Sequence, residues 1–121
     1  MKQLRITEIG KNAVTANEPM LILFNQTATE EIRKVAVIHE ELDKNQPFAI
    51  KKGDKILFGE QEYQVEEVGE LANSSLAELG HVTIVFHLPT NEHHLPNSIY
   101  LLPSEVPEIN VGTIITFQSE G

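Results

Sequence analysis

The 121-residue sequence predicts an all-β fold, a small single-domain barrel or barrel-like sandwich of about seven short strands with one short helix. Three observations carry this. Period-two alternation of apolar and polar residues recurs along the chain, and helical periodicity is nearly absent. Gly, Pro and Asn punctuate the apolar segments at short intervals. Apolar residues make up 40% of the chain, enough for one core at this length. With many short strands, closure is favoured because it removes exposed edges. Residues 1–121 read as one domain, with no repeat, low-complexity tract or linker.

The elements follow in order. Leu4 to Ile9 alternates and stops at Gly10. Met20-Leu21-Ile22-Leu23-Phe24 is apolar on both faces, as in a central strand covered on both sides. Thr29 to Ile32 suits one helical turn or a loop. Val35-Ala36-Val37-Ile38 is the next strand and ends at His39. Asp43 to Pro47 is a polar loop, and Lys51-Lys52-Gly53-Asp54 a turn. Lys55 to Phe58 and Glu62 to Val65 read as a hairpin with Gly59 in its turn. The apolar side changes parity between Val65 and Val68, which predicts a bulge. A short helix is expected to be capped by Asn73, to run through Leu76-Ala77-Glu78-Leu79 and to end with Gly80 at C′. His81 to Leu88 reads as the clearest strand, with Val82, Ile84, Phe86 and Leu88 on one face. A polar loop spans Pro89 to Pro96. Ser98 to Leu102 and Thr113 to Phe117 are the last strands, separated by a segment with Pro103 and Pro107.

Charge and composition exclude several functions. Asp and Glu number 18 against 9 Lys and Arg, a formal net charge of −9. Such a chain has no electrostatic reason to bind nucleic acid or an anionic membrane, but it can be drawn to a basic face on a protein partner. With no cysteine, disulfides, thiolate metal sites and a cysteine nucleophile drop out together. The N-terminal residues alternate and form no secretory h-region. The apolar run Met20–Phe24 is far too short for a membrane span. A cytoplasmic domain without direct membrane insertion is expected.

The five histidines are the candidates for chemistry. His39 closes an apolar strand and shares a face with Val37. It reads either as a covered strand-end residue bonded to the backbone or as a neutral imidazole acting as nucleophile or proton shuttle. Glu40 and Glu41 follow it, and Glu40 is expected on the opposite face. His81 reads either as a group that satisfies the last helical carbonyls or as a second site histidine beside His39. His87, Glu92, His93 and His94 form a conceivable metal set, but no pair has the one-face spacing of a helical metal motif. There is no Gly-x-Ser-x-Gly elbow, no phosphate-cradling Gly-Lys-Ser/Thr loop and no Gly-x-Gly-x-x-Gly.

Several segments together resemble one known family. They are Thr7-Glu8-Ile9-Gly10, Met20-Leu21-Ile22-Leu23-Phe24, Val37-Ile38-His39-Glu40, Gly53-Asp54 leading to Phe58-Gly59, and Tyr63 to Gly69. The most specific is Asn73 to Phe86, with Leu79-Gly80-His81-Val82-Thr83 at its centre. Leu95-Pro96-Asn97-Ser98-Ile99 and Val111-Gly112-Thr113-Ile114-Ile115 complete the series. In this order the chain resembles the enzyme IIA component of the glucitol/sorbitol phosphotransferase system. The resemblance implies a phosphoryl carrier, a phosphotransferase component that works through a phosphohistidine. It implies His39 as the acceptor, with attachment through Nε2, and His81 as a possible supporting group. It implies the histidine-containing phosphocarrier protein as donor and the IIB component of the permease as receiver, during glucitol/sorbitol uptake. No cofactor and no metal are implied.

The chemistry suits those residues. A carrier needs a phosphorylated form reactive enough to pass the group on, and a phosphoramidate on imidazole meets that need. In-line transfer requires positioning and stabilisation of the equatorial oxygens, which backbone N–H groups and His81 are expected to supply. Because both donor and receiver are proteins, His39 is expected in an exposed shallow depression with an apolar rim. After Ile38-His39, a known family member has a second histidine and a glycine where this chain has Glu40-Glu41-Leu42-Asp43. That departure motivates an alternative, a non-catalytic binding or regulatory module that retains the IIA fold.

Overall fold

The computed structural model describes residues 1–14, 19–89 and 95–119. Its strands are β1 (Lys2–Ile9), β2 (Met20–Phe24), β3 (Val37–Glu41), β4 (Lys55–Phe58), β5 (Gln61–Val68), β6 (Val82–Val85), β7 (Ser98–Leu102) and β8 (Ile114–Gln118). Two short helices interrupt them, α1 (Glu30–Val35) and α2 (Ala72–Leu79). The strands close in the order β1-β3-β2-β6-β7-β5-β4-β8, with β8 returning to β1. The all-β barrel expected from the alternation is therefore what forms, with eight strands among the described residues. Among these residues, no helix is long and apolar enough to cross a membrane.

The barrel interior is filled by inward residues from every strand, among them Leu4, Ile6, Leu21, Leu23, Val37, Ile56, Phe58, Val65, Ile84, Leu101 and Ile115. Burial of this apolar set drives closure. The two-sided apolar run of β2 has a direct cause. Leu21 and Leu23 face the interior. Ile22 and Phe24 face outward into a second cluster with Ala28, Ile32, Ala36 and Ile38, beneath α1. β2 and β3 are parallel, pairing Leu23 with Val37 and Phe24 with Ile38. Parallel neighbours need a crossover, and α1 lies within it. Thr29 caps α1, its Oγ1 accepting from Ile32 N–H at 3.3 Å. The Thr29–Ile32 segment is thus the start of a helix that takes in Val35, and the strand begins two residues later than the sequence suggests.

Other expectations need adjustment. The parity slip in β5 is real, since the register with β7 shifts between Val65 and Glu67. Asn73 lies inside α2 and does not cap it; Leu71 occupies the cap position without a side-chain bond. The Asn73 amide instead clamps a loop residue, accepting from Ile50 N–H at 2.8 Å and donating to Ile50 O at 2.9 Å. The strand expected over His81 to Leu88 is four residues long, Val82–Val85. Phe86 N–H turns to Pro19 O at 2.8 Å, and Leu88 is half exposed.

Candidate functional site

β-Alternation decides where the His39 side chain goes. Ile38 faces the α1 cluster, so Val37 and His39 on either side of it turn inward, and His39 is only 1% exposed. The residue opposite it on β1 is Ile6. There the register slips, because Ile6 pairs with His39 and Glu8 pairs with Ile38. Thr7 is the extra residue of this bulge, and its hydroxyl donates to Ile38 O at 3.3 Å. Bulges often re-aim a strand beside a site.

The His39 ring is held from across the barrel wall by the end of α2. Gly80 terminates that helix in the left-handed region, φ 62°, with its N–H on Leu76 O and the His81 N–H on Ser75 O. The Gly80 carbonyl lies 2.7 Å from His39 Nε2. A carbonyl only accepts, so Nε2 carries the proton and donates. Nε2 is also the nitrogen to which the resemblance assigns the phosphoryl group. Nδ1 is buried and has no hydrogen-bond partner among the described residues. Gly80 is required for this approach. A Cβ there would meet Asn25 Cβ at 2.7 Å and His39 Cε1 at 2.8 Å. Leu79 O is fixed in turn by Asn25 N–H at 3.0 Å.

Burial pushes the His39 pKa below its ordinary 6.5, outweighing the Gly80 hydrogen bond and the Glu41 charge, which both raise it. The ring is therefore neutral at pH 7, as a nucleophile must be. The Glu41 carboxylate is paired with Lys2, whose Nζ also donates to Asp43 O at 2.9 Å and Gln46 O at 2.7 Å. Glu40 points outward to Arg5, at 3.5 Å, as the alternation predicts.

This shift has a consequence for stability. Below pH 6.5 the unfolded chain binds a proton at His39 that the folded chain refuses until its lower pKa is reached. Stability is therefore expected to fall as pH drops through that interval. Urea unfolding at about pH 7.5 and about pH 5.5 checks it. The wild type should lose more stability than His39→Gln between the two, and an equal loss would contradict the assignment.

The surroundings differ from the exposed, apolar-rimmed depression expected of a protein–protein relay. His39 borders a cavity of about 240 Å³, but its walls are mainly polar. Asn25, Gln26, Thr27, Glu40, Glu41 and Lys44 contribute to them. The reason is parity, because inward alternation sinks the ring into the barrel wall and leaves the turn after β2 and the loop after β3 to form the rim. Asn25 organises that turn, its Oδ1 accepting from Thr27 N–H at 2.9 Å and Thr27 Oγ1 at 2.6 Å.

His81 does not stand on a strand next to that of His39, since β2 lies between β3 and β6. Its ring stacks on Phe24 at 5.0 Å, and its Nδ1 donates to Leu23 O at 3.2 Å. It is the backbone of His81, not the ring, that satisfies a helical carbonyl. Of the conceivable metal set, Glu92, His93 and His94 lie outside the described residues. His87 is described, with Nδ1 2.6 Å from Leu88 O. Among the described residues, no group of three or more His, Asp or Glu is placed to hold a metal.

Sequence reasoning singled out His39 as a candidate and anticipated the helix-ending role of Gly80. It missed the Gly80 carbonyl as the anchor of the ring, Asn25 as the brace of Leu79, and the bulge at Thr7. No spacing signal links Gly80 to His39, which are 41 residues apart.

The comparisons with known proteins set this closed β-barrel among the IIA components of sugar phosphotransferase systems. The family described as "PTS system glucitol/sorbitol-specific IIA component" matches residues 1–116, and the chain belongs to that family. The glucitol/sorbitol-specific EIIA component of Escherichia coli K12 is 31% identical over 118 residues, covering 97% of this chain and 94% of that one. The Shigella flexneri protein of the same description is equally similar, 31% identical over 97% of this chain. A crystal structure of a PTS system IIA component from Enterococcus faecalis V583 superimposes with a TM-score of 0.91 at 38% identity, covering 97% of this chain and 99% of that one. IIA components act as phosphoryl carriers in sugar uptake, in concert with other components of the system.

Proposed function

We propose that His39 is the phosphoryl acceptor of this carrier. It takes the group from the histidine-containing phosphocarrier protein and passes it to the IIB component during glucitol/sorbitol uptake, in the cytoplasm. The observation that carries this reading is the imidazole itself. It is buried and neutral, with one nitrogen anchored by Gly80 O and the other unpartnered among the described residues. A neutral ring keeps a nucleophilic lone pair, and the anchor fixes its direction. Lys44 lines the same cavity and supplies positive charge for the equatorial oxygens. The pairing of Lys2 with Glu41 limits the repulsion that the nearer carboxylate would exert on an incoming phosphoryl group.

His81 acts as a positioning residue. By holding Leu23 O it fixes the residue that follows Gly80, and so the carbonyl that orients His39. His81→Ala is expected to slow acceptance several-fold without abolishing it. If His81→Ala alone eliminates labelling, the two histidines exchange roles.

The experiment is a phosphorelay. The protein is mixed with labelled phosphoenolpyruvate, enzyme I and the histidine phosphocarrier, and the acid-labile label is mapped by mass spectrometry. Label on His39 that chases onto a IIB domain is the expected result. One observation favours the second reading, a binding or regulatory module that keeps the IIA fold. It is the 1% exposure of His39, which obliges the polar rim to open before a donor protein reaches the ring. No label from a competent relay would move the assignment to that reading.

A further inference from the structure

Resting on the carrier reading above, we propose that Lys2 is a positioning residue for phosphoryl acceptance, because its ammonium clamps the loop after β3 by carbonyls on either side of Lys44. Alternation puts Lys2 on the inward face of β1 with Leu4 and Ile6. It is 4% exposed, and its register partner on β8 is Phe117. A buried charge is expensive unless it is paired and hydrogen-bonded, so an apolar side chain would fill this place at lower cost. Packing alone gives no reason for a lysine here.

Its partners supply one. An ammonium has three N–H donors, and each has an acceptor: the Glu41 carboxylate, Asp43 O at 2.9 Å and Gln46 O at 2.7 Å. The two carbonyls bracket Lys44 and Asn45, the tip of the loop. Gln46 N–H closes the loop on Asp43 O at 3.0 Å. The next residue of β1 ties it down further. Gln3 N–H donates to the Asp43 carboxylate at 3.1 Å, and Leu42 N–H donates to Gln3 O at 3.0 Å. Lys44 itself is exposed and has no carboxylate partner among the described residues. Its place at the His39 cavity is therefore set by β1 and not by contacts of its own side chain.

Lys2 does not act on the phosphoryl group directly. Its side chain lines a neighbouring cavity of about 180 Å³ with Phe48 and Phe117, and its three donors are already engaged. The phosphoryl oxygens meet the charge of Lys44, and a preorganised charge helps most where it is fixed in advance. Without the clamp, Asp43 O and Gln46 O lose this donor, the loop keeps its own closing bond, and Lys44 spreads over many positions. The same ammonium neutralises Glu41, which borders the His39 cavity. One buried cation thus withdraws a negative charge from the cavity and presents a positive one to it.

The test is single-turnover transfer from the relay to the intact protein, as wild type, Lys44→Gln, Lys2→Met and the double variant. Each single variant is expected to slow transfer about tenfold at saturating donor, with the half-saturating donor concentration unchanged. If Lys2 acts through Lys44, the double variant is slower than either single one by no more than about twofold. Losses that multiply to about a hundredfold, a wild-type rate in Lys44→Gln, or a loss confined to half-saturation each overturn the inference. A glycine inserted between Lys44 and Asn45 moves Lys44 while leaving Lys2 paired with Glu41, and an exposed loop tip tolerates it. It should also slow transfer about tenfold, and a wild-type rate overturns the inference even if Lys2→Met fails to fold. In ¹⁵N-lysine spectra, the Lys44 ammonium should shift on phosphorylation in wild type and not in the insertion variant; equal shifts count against the clamp. All of these failures leave the carrier reading standing while wild type is labelled on His39. A competent relay that leaves His39 unphosphorylated overturns the carrier reading, and the inference falls with it.

Discussion

His39→Gln is expected to reduce phosphoryl acceptance from the relay by roughly 10³-fold or more while leaving the fold intact, because it removes the imidazole proposed to form the covalent intermediate. Gln is the informative replacement. Its amide nitrogen can donate to the Gly80 carbonyl as His39 Nε2 does at 2.7 Å, and it keeps most of the side-chain volume. His39→Ala would instead leave that carbonyl unpaired and open a void beside Leu76 and Gly80, both of which line the adjoining cavity. The void and the lost hydrogen bond together cost on the order of 2–4 kcal/mol, so a loss of activity in Ala would be ambiguous. Thermal unfolding at pH 7.5 or so and a single-turnover transfer assay separate the two effects. A His39→Gln protein that melts like wild type yet accepts label at the wild-type rate would remove His39 from the reaction.

The parts of the site legible in the sequence are those governed by local period. The two-faced apolar run Met20–Phe24 forecast a strand covered on both sides, and Leu21 and Leu23 do face the core while Ile22 and Phe24 meet the α1 cluster. The parity slip after Val65 forecast the register shift observed against β7. The shared face of Val37 and His39 was legible too, but its consequence was misjudged. In a closed barrel that face is the interior, and the ring is buried instead of standing in an open depression. What local period cannot convey is contact across the wall. Asn73 has the composition of a cap, but tertiary contact with Ile50 claims its amide. His81 follows a helix, yet its ring turns to Leu23 O on a neighbouring strand. The Thr29 cap and the acidic first turn of α1 are local signals for a helix, and Val35 belongs to it despite its β propensity. The anchor of His39 comes from the end of α2, a segment joined to β3 only through the closed topology.

Gly80→Ala carries the second large effect, and a control for it exists within the same chain. The left-handed backbone at Gly80, φ 62°, costs a non-glycine residue about 1–2 kcal/mol. The added methyl would also lie 2.7 Å from Asn25 Cβ, 2.9 Å from Asn25 N and 2.8 Å from His39 Cε1. The Asn25 backbone is pinned by its bond to Leu79 O, so most of the displacement falls on the His39 ring, and the contact that fixes its tautomer opens. A total destabilisation of roughly 3 kcal/mol and a loss of acceptance of about 10²-fold are expected together. Gly59 shares the backbone conformation, φ 65°, but a methyl there would meet only Thr113 Cγ2 at 3.9 Å. Gly59→Ala should therefore lose the backbone contribution alone and transfer phosphate normally. The two variants are compared by urea unfolding and by relay assay. If both lose the same stability and both keep full acceptance, then the close approach of Gly80 to His39 has no part in catalysis. If Gly80→Ala alone fails in transfer under conditions where it remains folded, the helix end is part of the phosphoryl acceptor, because it determines where the lone pair of His39 points.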